Sequence, residues 1–340
     1  MNSIKGEKNL KKIKTLLSFF MSFALIIVLI SCDNTSSDKN EVNNPARIDS
    51  EEIVNMETQI KAKMEKKENL RTVAKEGGNY NTIMDAVKAG GDTIENPITI
   101  MVSPGVYKES VYIKQWSRLN LVGADKKNCI IKQSHGEYLN APLETAGERY
   151  IANITFIADH SDNPELPINE QKTYAFHGDK SSGGDGITLV ENCRFESYQS
   201  ASVGLGIYNN QIFHFKNCEF YSHISDDSPK KDIGAFFAHN SVEGGETNAQ
   251  LIMENCEFYM DNDNSTYGYA CYINDANLTN GSGNGNAVDV KFINCTLKRR
   301  NGNDVNALRV DNTSSKSNLS GSITLNQESC GNNISKLNVK

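Results

Sequence analysis

The sequence predicts an all-β chain folded as a single parallel β-helix, because a short phrase recurs along it and its flanking segments alternate like strands. The phrase places asparagine and cysteine after a β-type run, at Asn192-Cys193, Asn217-Cys218, Asn255-Cys256 and Asn294-Cys295. These cysteines are 25 (193 to 218), 38 (218 to 256) and 39 (256 to 295) residues apart. One coil of three five-residue strands with short turns needs roughly 20–25 residues. The repeat therefore predicts stacked coils, some of which carry an inserted loop.

The repeated asparagines and cysteines have structural explanations. Equivalent side chains in stacked coils are about 4.8 Å apart and parallel, whereas a disulfide needs roughly 3.5–4.5 Å between its Cβ atoms. Seven cysteines follow Cys32, an odd number that argues against a full disulfide framework. We expect buried thiols, no metal site, and a hydrogen-bonded ladder of the asparagines at one corner of the coil.

The first 31 residues resemble a lipoprotein signal peptide. Lysines between Lys5 and Lys14 precede the apolar run Thr15–Ile30, and Leu29-Ile30-Ser31-Cys32 resembles a bacterial lipobox with lipid added to Cys32. The alternative is a single membrane-spanning anchor, for which the run is short, since a span needs about 20 residues. The interpretation predicts an exported chain, lipid-anchored to a membrane of the bacterial cell envelope.

Three segments follow the predicted cleavage site. Residues 32–48 are rich in Asn, Ser and Asp and predict a flexible tether. Residues 49–69 predict a helix that caps the open end of the coil, because Asp49 and Glu52 resemble a capping box before an apolar stripe. Residues 70–340 are predicted to form the β-helix domain.

The net charge argues against a nucleic-acid partner. The whole chain has a formal charge of −7, from 35 basic and 42 acidic residues. Five basic residues and one acidic residue precede Cys32, so the remaining chain has 30 basic and 41 acidic residues, a charge of −11. A strongly anionic chain repels nucleic acids, so we expect it to bind a neutral or esterified polymer. We also expect the chain to be a monomer.

The strands that follow Leu70 resemble a known family. The matching residues are Val73-Ala74-Lys75, Gly78, Tyr80, Thr82-Ile83 and Ala86-Val87, followed by Pro104-Gly105-Val106-Tyr107, Glu109, Val111 and Ile113. They are similar to the opening coils of the pectinesterases, which are pectin methylesterases. The resemblance extends, more weakly, to about Cys256. It implies a right-handed β-helix of the pectin-lyase type that hydrolyses methyl esters of a pectin-like polysaccharide without a metal or other cofactor.

The resemblance also implies where the reaction takes place. Family members use two aspartates, glutamine amides and an orienting arginine. Their phrase Gly-Tyr-Gln-Asp-Thr-Leu-Tyr corresponds here to a segment in which Tyr198 and Gln199 match and Ser200 replaces the aspartate. The region of the second phrase, Val-Asp-Phe-Ile-Phe-Gly, contains Asp226 and Asp232.

From this correspondence we expect Asp232 to be the nucleophile, Gln199 to stabilise the oxyanion, and Asp226 to be a further catalytic candidate. The family's Gly-Arg-Pro-Trp phrase is absent from the sequence, and Arg299-Arg300 is a poor replacement for it.

Two alternatives remain open at this stage. A catalytically inactive relative would bind polysaccharide along the groove, with sugar rings stacked on Tyr198, Tyr208, Tyr221, Tyr267 and Tyr269. A structural surface or adhesin module would need neither activity nor a sugar ligand. The resemblance favours the enzyme, whereas Ser200 favours the binding protein.

Overall fold

The computed structural model describes residues 50–63, 69–114, 116–132, 141–159, 174–178, 185–228, 230–241, 249–274, 288–302, 307–311, 318–326 and 331–334. The predicted signal peptide, the lipidation site at Cys32 and the tether lie outside these residues. The described residues include two helices, α1 (Ser50–Lys63) and α2 (Ile83–Lys88). Within the described residues, no helix combines the length and the apolar character needed to cross a membrane.

The rest of the described chain is built mainly from short strands. In chain order they are β1 Leu70–Val73, β2 Ile98–Val102, β3 Gly105–Lys108, β4 Val111–Ile113, β5 Leu119–Gly123, β6 Cys129–Lys132, β7 Leu143–Thr145, β8 Arg149–Ala152, β9 Thr155–Ala158, β10 Phe176–Gly178, β11 Gly186–Glu191, β12 Arg194–Tyr198, β13 Val203–Ile207, β14 Gln211–Lys216, β15 Glu219–Ile224, β16 Gly234–Asn240, β17 Gln250–Glu254, β18 Glu257–Asn262, β19 Tyr269–Asn274, β20 Asp289–Arg299, β21 Leu308–Asp311, β22 Asn318–Asn326 and β23 Gly331–Ile334.

These strands form three walls. Wall 1 contains β1, β2, β5, β8, β11, β14, β17 and the first part of β20, and wall 2 contains β3, β6, β9, β12, β15, β18 and the second part of β20. Wall 3 contains β4, β7, β10, β13, β16, β19 and β21. Neighbouring strands within each wall are parallel, and β22–β23 is an antiparallel pair at the end. The chain is therefore a right-handed parallel β-helix, and the predicted fold class is confirmed.

The repeated phrase forms the corner between walls 1 and 2. Asn192, Asn217, Asn255 and Asn294 have φ between 50° and 54°, a left-handed conformation that asparagine tolerates well. Asn192 donates a side-chain hydrogen bond to Asn153 at 2.8 Å, and Asn294 donates one to Asn255 at 3.4 Å. The six cysteines that the structure describes are buried and free, as predicted; Cys330 lies outside the described residues.

The phenylalanines that lie three residues after Asn153, Asn192, Asn217 and Asn255 stack inside the coil. Ring centroids are 5.2 Å apart from Phe156 to Phe195, 5.7 Å from Phe195 to Phe220, and 4.8 Å from Phe220 to Phe258. These rings are almost inaccessible to solvent. Each coil thus buries one aromatic ring against its neighbours, which fixes the register of successive coils.

Helix α1 lies at a different place from the one that the sequence predicts. Ile53 and Ile60 pack on Tyr150, Ile187 and Ile212, so the helix covers the outer surface of wall 1 instead of the open end. Wall 1 carries apolar side chains on both its inner and its outer face there. The apolar stripe of the helix buries the side chains of the outer face.

The end of the coil is covered by α2. Ile83 and Ala86 are fully buried and belong to the interior core together with Val73 of the first strand. The backbone amides of Ile83 and Met84 donate to the carboxylate of Glu109, which satisfies the free donors at the start of this short helix.

Candidate active site on wall 3

Asp232 lies two residues before β16, at the edge of wall 3, and its carboxylate pairs with an arginine from a distant part of the sequence. Arg309 Nη1 is 2.5 Å from Asp232 Oδ1 and 2.5 Å from Asp232 Oδ2. Asp232 itself is 67% exposed, so its carboxylate remains accessible from solvent. The predicted nucleophile therefore has a guanidinium partner, as the family resemblance implies.

A second carboxylate holds the opposite edge of the same guanidinium. Arg309 Nε is 3.1 Å from Asp311 Oδ1, and Arg309 Nη2 is 2.8 Å from Asp311 Oδ2. Asp311 also accepts a hydrogen bond from the Tyr272 hydroxyl at 2.7 Å. The guanidinium is stacked near Tyr272 and Tyr269, with its carbon 4.5 Å and 5.3 Å from the ring centroids.

These contacts shift the pKa values of three groups. The hydrogen bonds from Arg309 and then from Tyr272 lower the pKa of Asp311, so this carboxylate is ionised at neutral pH. The hydrogen bonds to Asp311 and Asp232 raise the pKa of Arg309 further above its usual range. Burial, followed by the hydrogen bond to Asp311, raises the pKa of Tyr272 to about 12. The cluster thus keeps an ionised carboxylate, a cation and a neutral phenol together.

Gln199 occupies the turn between β12 and β13 in a conformation that is unusual for a residue with a side chain. Its φ is 81°, and its side-chain Oε1 is buried without a hydrogen-bond partner among the described residues. Left-handed conformations and unsatisfied polar atoms both cost free energy and often mark functional sites. The adjacent Ser200, where the family has aspartate, is buried.

The turn that carries Gln199 runs beside the segment that carries Asp232. Ser202 donates both its backbone N–H (2.8 Å) and its hydroxyl (2.9 Å) to the Ala235 carbonyl in the next coil. Gln199 lies three residues before Ser202, and Asp232 lies three residues before Ala235. The fold therefore brings both predicted residues to the same corner of adjacent coils.

Asp226 lies in the same loop as Asp232 but has different contacts. Its Oδ1 accepts a hydrogen bond from the Tyr267 hydroxyl at 2.6 Å, and Lys231 donates to that hydroxyl at 3.2 Å. These hydrogen bonds join Asp226 to neither Asp232 nor Gln199. Asp226 is exposed, which leaves it available to a ligand.

The outer surface of wall 3 beside Asp232 is rich in aromatic rings. Tyr174 stacks on His177 with centroids 5.5 Å apart, and Phe237 contacts Tyr272 with centroids 5.1 Å apart. Gly204 makes this arrangement feasible, because a Cβ at that position would lie 2.9 Å from the ring of Tyr174. The result is an aromatic surface next to the carboxylates, which is typical of sites that bind sugar rings.

Of the tyrosines predicted to bind sugar, Tyr269 lies beside Arg309 on this wall, whereas Tyr198, Tyr208 and Tyr221 do not share this surface. Tyr198 and Tyr221 lie on the outer face of wall 2, with ring centroids 6.0 Å apart, and Tyr221 donates a hydrogen bond to Asp261 at 2.7 Å. Tyr208 follows β13 in the turn towards wall 1, where its backbone N–H donates to Gln211 Oε1. Within the described part of the chain, no group of three or more His, Cys, Asp or Glu side chains is arranged to hold a metal ion.

Sequence reasoning missed Arg309, Asp311 and Tyr272. The strand reads Leu308-Arg309-Val310-Asp311 and lacks the glycine, proline and tryptophan that mark the family's arginine phrase. The available signal was the alternation of Arg309 and Asp311, which puts both on one face of a strand. Their partner could not be read from the sequence, because loops of several lengths separate the coils.

The comparisons with known proteins point to one family. Residues 71–226 match the pectinesterase family model. The probable pectinesterase/pectinesterase inhibitor 13 of Arabidopsis thaliana is 30% identical over 136 residues, which are 38% of this chain and 20% of the relative. The chain therefore spans about a fifth of the length of that curated relative.

Two solved structures of pectin methylesterases are similar to the chain. The enzyme from carrot has a TM-score of 0.44 and 13% identity, with coverage of 76% of this chain and 88% of that chain. Pectin methylesterase PemA from Erwinia chrysanthemi has a TM-score of 0.41 and 15% identity, with coverage of 79% and 85%.

Proposed function

We propose that this chain, pectinesterase-like by the match of residues 71–226, hydrolyses methyl esters of a pectin-like polysaccharide on the outer face of wall 3. The observation that carries the proposal is the pairing of Asp232 with Arg309, at 2.5 Å to each carboxylate oxygen. An exposed carboxylate oriented by a guanidinium is suited to attack an ester carbonyl. The aromatic surface beside it is suited to hold the sugar ring.

In this mechanism Asp232 attacks the ester carbonyl carbon, methanol departs, and water hydrolyses the resulting anhydride to regenerate the carboxylate. The Gln199 amide donates a hydrogen bond to the oxyanion, and its strained backbone presets the side chain for that contact. Since Ser200 cannot shuttle the proton as an aspartate would, the proton that the departing methoxide needs comes from water. We therefore expect proton transfer to limit turnover.

The test is the release of methanol from methyl-esterified pectin by the purified full chain. Replacing Asp232 by Asn removes the nucleophile and is expected to lower kcat by at least about 10³-fold. Asp227→Asn is the matched control, because Asp227 is an exposed aspartate in the same loop. Equal methanol release by the wild type and Asp232→Asn would refute the assignment of the nucleophile.

The second candidate function is polysaccharide binding without hydrolysis, and Ser200 is the residue that favours it. Retention of the wild-type chain on immobilised pectin, with no methanol released over hours, would support binding alone. Substitutions Phe237→Ala and Tyr221→Ala separate the two faces, since Phe237 lies on wall 3 and Tyr221 on wall 2. Loss of retention in only one variant identifies the binding face.

We further propose that the chain is exported and anchored to a membrane by lipid on Cys32, on the basis of the basic, apolar and Leu-Ile-Ser-Cys segments. Radiolabelled palmitate should be incorporated into the wild-type chain and not into Cys32→Ser. Incorporation into both would exclude Cys32 as the lipidation site.

A further inference from the structure

We propose that Asp311 and Tyr272 are positioning residues that fix Arg309 so that one guanidinium orients Asp232, an inference that rests on the proposed hydrolysis. Arg309 meets Asp311 through its Nε–Nη2 edge and Asp232 through Nη1. A carboxylate that accepts two parallel hydrogen bonds from a guanidinium defines the plane of that group. Asp311 therefore sets the orientation in which Nη1 reaches Asp232.

The fold supplies the rigidity for this arrangement. Arg309 pairs in register with Tyr272 on β19, and Asp311 pairs with Asn274 two residues further on. Residues two apart on a strand face the same side, so Arg309 and Asp311 leave wall 3 together. Asp232, in contrast, lies in the segment before β16, outside the strands. Asp311 on the same strand thus holds one edge of the guanidinium, and Nη1 on the other side contacts Asp232 in the loop.

Tyr272 secures Asp311 from the neighbouring strand. Its hydroxyl donates to Asp311 Oδ2, the same oxygen that accepts from Arg309 Nη2. Its ring also lies beneath the guanidinium, 4.5 Å from the guanidinium carbon. A single tyrosine therefore contacts both members of the ion pair. Tyr272 is only 9% exposed, so its packing in wall 3 keeps it from moving freely.

The arrangement also divides one positive charge between two carboxylates. The titratable groups of this cluster are Asp232, Arg309, Asp311, Tyr269 and Tyr272. His239 on β16 is the neighbouring titratable group and pairs in register with Asn274 on β19. Because the ionised Asp311 also pairs with Arg309, the positive charge of the guanidinium is shared between two carboxylates. Asp232 is then stabilised less strongly as an anion and remains more reactive as a nucleophile. Without Asp311, Asp232 would face the full charge of Arg309.

The experiment compares Asp311→Asn and Tyr272→Phe with Asp263→Asn, which removes an aspartate from another exposed pair, 3.2 Å from Arg300 on wall 2. We expect Asp311→Asn to lower kcat for methanol release about 10–100-fold, with KM changed less than about threefold. Tyr272→Phe should show a smaller change in the same direction, and Asp311→Glu should recover part of the loss.

Nitrogen-15 NMR of the Arg309 guanidinium provides a readout that needs no activity. We expect separate, slowly exchanging Nη resonances in the wild type and averaged resonances in Asp311→Asn. Averaged resonances in the wild type, or kinetics of Asp311→Asn equal to those of Asp263→Asn, would overturn the inference. If the wild type releases no methanol, the proposed function fails, and the NMR result still decides whether Asp311 fixes Arg309.

Discussion

The ion pairs beneath helix α1 give a quantitative prediction about stability. Glu57 on α1 is 5% exposed, and its carboxylate contacts His214 Nδ1 and lies 3.0 Å from Lys216 Nζ on wall 1. Replacing Glu57 by Ala leaves the buried His214 and the partly buried Lys216 without this partner. Removing one member of a fully buried ion pair usually costs about 3–5 kcal/mol. Glu254 remains 3.3 Å from His214 Nε2 and 3.6 Å from Lys216 Nζ, so we expect a cost of about 2–3 kcal/mol.

The cost should depend on pH in a defined direction. Burial would raise the pKa of Glu57, but His214 and Lys216 lower it below its ordinary value of 4.5. The contribution of Glu57 is therefore complete above 4.5 and is lost as pH falls through the lowered pKa. Burial would lower the pKa of His214, but the adjacent carboxylates of Glu254 and Glu57 raise it above 6.5. The contribution of His214 is complete below 6.5 and is lost as pH rises through the raised value. The difference between wild type and Glu57→Ala should be largest between about pH 5 and 6.5.

The assay is urea denaturation of both chains across this pH range, with hydrogen exchange of the α1 amides as a second measurement. Exchange is needed because it reports local opening of α1, which global urea denaturation does not resolve. Glu51→Ala is the control, since Glu51 is exposed on the same helix and should change stability by less than about 0.5 kcal/mol. A pH-independent difference below that value by both methods would refute the reasoning.

Three further predictions follow from the coil and its turn. Phe220→Ala removes a buried ring from the central stack and should destabilise the chain by about 3–5 kcal/mol in urea denaturation, whereas a conservative Phe220→Leu should cost clearly less. Gln199→Gly should raise stability by about 1 kcal/mol by relieving the positive φ, while lowering methanol release; a loss of stability would show that the turn is unstrained. Because burial raises the pKa of Cys193, Cys256 and Cys271, these thiols should resist a thiol reagent until the chain is unfolded, and rapid labelling of the native chain would contradict their burial.

The coil could be predicted from the sequence because its evidence is local. Asparagine before each cysteine predicted the corner, where Asn192 and its equivalents adopt positive φ, and the alternation of the flanking segments predicted the strands. Both depend on the sequence within one coil. The same is true of α1, whose existence was predicted from its capping residues and apolar stripe.

What could not be predicted depends on contacts between distant coils. The position of α1 is decided by Glu57 meeting His214 and Lys216, more than 150 residues later, and no local pattern encodes that contact. The partnership of Asp232 with Arg309 spans 77 residues and several inserted loops. Asp232 and Gln199 could be proposed from the family's phrases, but the arginine lacks its family phrase and was found only through the fold.

The most direct test of the account is the methanol released from methyl-esterified pectin by the wild type, Arg309→Lys and Asp232→Asn. The account predicts measurable release by the wild type, a loss of about 10–100-fold in Arg309→Lys because lysine cannot contact two carboxylates through separate edges, and a loss of at least about 10³-fold in Asp232→Asn. Release by Asp232→Asn at the wild-type rate, or no release by the folded wild type, would contradict it.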